Sequence, residues 1–256
     1  MSRIVVAGEV YRQAADPRRD REYRQQALEA WQQVLDYVQE NGAVPQYGKF
    51  LVWFERFAPE YKHLLLSIGP KRASGTKGSF GPAMLPRVDY AIELFILDES
   101  FYDYDEDRIQ EELVWELDDK DVRATFVHEF IHYLDRLRRT REELSSKELE
   151  QRTKRKTDPG AYFSNPEEFN AWYQALSHEM EEVFYDMWIE GGYGESASDP
   201  SKTLGTYKDF YSFFQLFNEN MSHNYWPLDK LEPKWQRKLT KRLYGLWQDL
   251  RERYLP

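Results

Sequence analysis

His128-Glu129-Phe130-Ile131-His132 sets two imidazoles four residues apart, with a carboxylate directly after the first. Apolar residues recur at helical spacing from Val122 to about Arg139, so the motif sits inside a helix. At 100° per residue His128, His132 and Asp135 fall within about 60° of one another on one face. Phe126, Phe130, Leu134 and Leu137 turn mainly to the other side, towards a core. Glu129 points roughly 100° from His128, at the shoulder of the histidine face. Two imidazoles placed in this way can share one zinc ion and leave the carboxylate beside a water on the metal. Zinc lowers the pKa of such a water to about 7, and the glutamate can take its proton as the water attacks a peptide carbonyl. With 5 His and 27 Glu in 256 residues, chance alone writes HExxH in about one such chain in a hundred, before a helical context is required.

One helix supplies only two of three protein ligands, so the third must come from elsewhere. The spacing HExxHxxGxxH finds Asp135 and Arg138 where a Gly and a third His would stand. His63 precedes a strand, His178 lies deep in a later helix and His223 in a later loop; each reads as an ordinary polar or capping residue. The segment Ser164-Asn165-Pro166-Glu167-Glu168 opens a helix, with an Asn cap, Pro in the first position and carboxylates in the first turn. Either glutamate could be presented from that turn. Asp135, one turn past His132, suits a carboxylate that accepts the N–H of a metal-bound imidazole and fixes its tautomer. A salt bridge to Arg138 or Arg139 is the other reading of it.

Two stretches carry a resemblance: His128-Glu-Phe-Ile-His-Tyr-Leu-Asp135, and Tyr162-Phe-Ser-Asn165-Pro-Glu-Glu168-Phe-Asn-Ala171. Together they resemble the lethal factor-like metalloprotease domain, a gluzincin family with the pattern HEFxHxxD, then Tyr, then Asn-x-x-Glu-Phe-x-Ala. The resemblance covers roughly residues 122–185. It implies a zincin fold and one zinc ion bound by His128, His132 and Glu168, with Glu129 as general base. It also implies that Tyr162 supports the oxyanion, and it makes Glu167 a first-turn helix charge. The Tyr-to-Glu interval is one residue shorter here than in the family, and Ile131 replaces the Gly that follows HEF in lethal factor. The strand Val88–Leu97 would then stand before the zinc helix as the cleft-side edge strand does in zincins. There it could bind an extended peptide by strand addition, or it could be wholly internal.

The elements that must position these residues follow from the periodicity. A helix is expected from about Arg21 to Glu40, closed by Asn41-Gly42, and a short second one over Lys49 to Phe57. His63 to Ile68 reads as a strand, Gly69 to Arg87 as a long Gly/Pro loop, and Val88 to Leu97 as an alternating strand. Later helices are expected over Pro166 to about Glu190, Lys208 to Phe217 and Glu232 to Arg253. The expected architecture is α+β and predominantly helical, a zincin-like metalloprotease fold with a small mixed sheet of two to four strands over the HExxH helix. Residues 1–60 would form a helical N-terminal extension packed on a catalytic domain of residues 61–256, with no clear linker between them.

Composition narrows the classes. A chain with 41% hydrophobic and 16% aromatic residues is not disordered as a whole. The net charge is -10, and it is concentrated: residues Asp98 to Asp121 carry twelve acidic groups against Arg108 and Lys120, leaving the remainder neutral. An acidic chain argues against a dedicated nucleic-acid binder, and the resemblance implies a protein or peptide substrate. With no cysteine, a metal must be held by His, Asp and Glu. No apolar run is long enough for a signal peptide or a membrane span, so a soluble protein is expected, cytoplasmic by default, with export by another route or association with a virion as the alternatives. The expected activity is zinc-dependent endopeptidase hydrolysis. Its rivals are a non-catalytic binding or assembly component (for example of a phage particle) that keeps the metal as a staple, and a hydrolase of peptidoglycan amides.

Overall fold

The computed structural model describes residues 17–83, 85, 87–137, 166–188, 210, 214 and 231–254. These are mostly helical with one small mixed sheet, an α+β arrangement. The chain divides into two compact units, residues 22–139 and residues 1–21 with 140–256. Among the described residues no helix is long and apolar enough to cross a membrane.

In the unit of residues 22–139, most of helix α1 (Pro17–Asn41) is followed by strands β1 (Val44–Gln46), β2 (Lys49–Trp53), β3 (Leu64–Pro70), β4 (Gly78–Pro82) and β5 (Tyr90–Leu97). Helices α2 (Glu106–Leu117) and α3 (Lys120–Leu137) complete it. The sheet order is β1-β2-β3-β5-β4. All neighbouring pairs are antiparallel except β3 and β5, which run parallel. Along β5 the side chains alternate: Ile92, Leu94 and Ile96 are buried in the core, while Glu93 turns to the other side. There the Lys49 ammonium meets Glu93 at 2.6 Å and the Ser79 hydroxyl donates to it at 3.2 Å. Burial would raise the Glu93 pKa, but these two partners and Arg72 outweigh it and hold the carboxyl below its ordinary value.

Three expectations are corrected here. The sheet has five strands rather than two to four. Lys49 to Trp53 is a strand rather than a helix, because Tyr47 and Gly48 (φ 51° and 71°) make a two-residue hairpin turn that pairs Gln46 with Lys49. The segment read as one long loop contains β4, the outermost strand on that side; of the two readings left open for Val88–Leu97, the internal one holds.

In the other unit, helix α4 (Pro166–Trp188) packs with helix α5 (Pro233–Tyr254). Phe169, Tyr173, Leu176, Met180 and Phe184 recur at steps of three and four, as do Leu239, Leu243, Leu246 and Leu250. The two stripes interlock with Phe210, Leu231 and Trp247. A buried ion pair, Arg242 to Asp20 at 2.8 Å, sits beside them, with the guanidinium 3.6 Å from the Tyr173 ring centroid. The expected helix at Lys208 to Phe217 lies outside the described residues except at Phe210 and Phe214.

Burial, reinforced by the neighbouring Arg242 and Lys234 charges, pushes the Lys238 ammonium down from 10.5 to about 8. Between those two values the unfolded chain binds more protons at this site than the folded one, so stability rises as pH climbs through the window. Urea midpoints followed from about pH 7.5 to 10 should therefore increase relative to those of Lys238→Met. A difference that stays flat across the window defeats this account.

Candidate metal centre

Helix α3 is fixed at its start and along one side before its functional face is considered. Asp119 caps it: the carboxylate accepts the backbone N–H of Asp121 at 2.8 Å and of Val122 at 3.2 Å. Its apolar side is an aromatic stack, with Trp31 against Phe126 (centroids 4.8 Å apart) and Tyr61 edge-on to Phe130 (5.0 Å). Phe126, Phe130 and Leu134 are buried as the spacing requires, whereas Leu137, the last helical residue, is exposed. The acidic connection is itself ordered. Asp105 accepts the N–H of Arg108 at 2.9 Å and starts α2, whose Leu113 and Leu117 are buried.

The histidine face is formed as the spacing predicts. His128 and His132 turn their Nε2 atoms to within 3.2 Å of each other, with the rings nearly perpendicular. Two ring nitrogens this close require a proton or a cation between them. Nitrogens about 2.0–2.1 Å from one tetrahedral ion sit about 3.3–3.4 Å apart, close to the separation of this pair. His128 and Glu129 are buried, and His132 is half-buried. Asp135 is half-buried one turn beyond His132 on the same helix.

Strand β4 runs along the flank of α3 that carries Glu129. The Lys77 ammonium, one residue before the strand, meets Asp121 at 2.9 Å. Gly78 passes beside Thr125 and Glu129. Phe80 lies nearly parallel to the His132 ring at 6.5 Å and contacts Tyr133 at 6.2 Å. Residues 121, 125, 129 and 133 are one stripe of a helix, so the strand follows a single ridge. Burial, then Tyr61, Tyr90 and Asp89, push the Tyr133 hydroxyl up to about 12, which keeps it neutral. Arg136 donates from Nε to the Tyr90 hydroxyl at 3.4 Å.

Glu168, on the first turn of α4, is buried. It belongs to the unit of residues 1–21 and 140–256, whereas His128 and His132 belong to the unit of residues 22–139. The side chain of Glu167, and Tyr162 altogether, lie outside the described residues. Of the other histidines, His63 faces Asp89 at 3.5 Å and His178 faces Glu182 at 3.6 Å, while His223 lies outside the described residues.

Sequence reasoning missed Gly78 and Phe80 as neighbours of this centre. Their only local signal is the glycine itself, in a segment otherwise rich in turn residues. No protein-family model, curated protein or solved structure matches the chain.

Proposed function

We propose that this protein is a zinc-dependent metalloendopeptidase of the gluzincin kind, similar to the lethal factor-like metalloprotease domain. The observation that supports it most strongly is the 3.2 Å approach of the His128 and His132 Nε2 atoms on a helix that also carries a buried Glu129. On that resemblance His128, His132 and Glu168 would hold the ion. Zinc, when bound, supplies Lewis acidity, acidifying water and polarising a carbonyl.

The chain does the rest. Glu129 takes a proton from the attacking water and hands it to the leaving amine, so the same carboxylate serves as base and then as acid. Its burial keeps solvent from competing for that proton. Asp135 would accept the outer N–H of a ligand imidazole and hold its tautomer. Tyr162 would donate a hydrogen bond to the developing oxyanion. An extended peptide would add to the outer edge of β4, which brings its backbone alongside Glu129.

The deciding experiment combines metal analysis with cleavage of a peptide library. The expected result is one zinc per chain and internal cleavage that stops with a chelator and returns on adding zinc. Stoichiometric zinc with intact peptides would move the assignment to a structural staple. Release of cell-wall fragments instead of peptide products would move it to peptidoglycan.

A further inference from the structure

We infer that Gly78 is a positioning residue for Glu129, a role that rests on the metallopeptidase reading. The backbone does not demand glycine here. Gly42, Gly48 and Gly75 are the glycines with left-handed φ among the described residues, and Gly78 is not one of them. Space demands it. A Cβ at this position would lie 2.6 Å from Thr125 Cγ2 and 3.1 Å from both Cγ and Oε1 of Glu129.

Neither side can yield easily. Thr125 is buried, and its hydroxyl donates to the Asp121 carbonyl at 2.8 Å; turning the methyl away gives up that bond. The strand is pinned as well. Phe95 donates its N–H to the Lys77 carbonyl at 2.8 Å, Gly78 pairs with Leu94, and the Lys77 side chain is tied to Asp121. The bare backbone at Gly78 therefore forms a wall against which the Glu129 carboxylate rests, and it limits the rotamers open to that side chain. A methyl group there pushes the carboxylate off its station while leaving both histidines untouched.

The test compares wild type, Gly78→Ala, Thr125→Ser and the double variant. Zinc stoichiometry, melting temperature, affinity of the zinc-loaded protein for a peptidyl hydroxamate, and kcat and KM on one cleaved peptide are measured for each. Gly78→Ala should keep one zinc, bind the hydroxamate more weakly, and lose on the order of 10- to 100-fold in kcat with KM within about twofold. Thr125→Ser alone should stay within about twofold of wild type in kcat, since it keeps the hydroxyl and removes only the methyl.

The double variant lacks the 2.6 Å clash and separates packing from positioning. It should regain the wild-type melting temperature, yet remain at least about fivefold low in kcat. It also carries the test if Gly78→Ala alone does not fold. Unchanged kcat and hydroxamate affinity in Gly78→Ala overturn the inference, as does a double variant that recovers kcat together with stability. A wild-type protein that takes up no zinc and cleaves nothing defeats the metallopeptidase reading itself, and this role with it.

Discussion

Glu129→Gln should purify with one zinc per chain, melt as the zinc-loaded wild type does, and hydrolyse peptide 10²- to 10⁴-fold more slowly, an order-of-magnitude loss set by removal of a general base. The substitution is nearly isosteric, so the close fit against Gly78 and Thr125 survives. The Nε2 atoms of His128 and His132 should keep their 3.2 Å separation, because both rings project from one helix whose backbone the substitution leaves alone. Only the capacity to accept and return a proton disappears. Full activity in the same assay would remove Glu129 from the mechanism, and loss of zinc would make it a metal-holding residue instead.

His128→Ala should fail differently, losing zinc and activity together. An ion that binds the folded state alone stabilises it by about 4 kcal/mol when its free concentration is a thousand times Kd. The wild-type melting temperature should accordingly rise with zinc and fall with chelator, and in His128→Ala it should respond to neither. Truncating a buried imidazole also leaves a cavity, so the zinc-free variant is expected to start below zinc-free wild type. The diagnostic quantity is the zinc-dependent increment rather than the absolute value. An increment of wild-type size in His128→Ala would place the metal elsewhere.

The histidine pair was legible because it depends on one helix and one period. Two rings four residues apart converge wherever the backbone is helical, and the aromatic side of α3 guarantees that it is. Helices α1, α4 and α5 and strands β3 and β5 were readable for the same reason, since each carries its own buried stripe. Helix α2 was overlooked although Asp105 caps it and Leu113 and Leu117 anchor it; twelve acidic residues in a row of 24 masked that signal. Strand β4 had no signal of its own to find. Gly-Ser-Phe-Gly-Pro carries almost no strand preference, and it becomes a strand because β5 offers it hydrogen bonds and α3 offers it a ridge. The part of the candidate site that lies in a sequence motif could thus be read directly. The part that depends on tertiary contact could not.

The order of the strands has an energetic consequence. β4 precedes β5 in the chain yet lies outside it in the sheet, so β5 is the single strand it pairs with. The wall beside Glu129 is therefore held by one strand pairing alone, and being outermost it is among the least costly parts of the sheet to detach. A molecule with its core and its histidine pair intact can still be idle while this one strand is undocked. On the proposed function, zinc loading and catalytic readiness would then be separable, and a zinc-loaded molecule would turn over only with β4 docked.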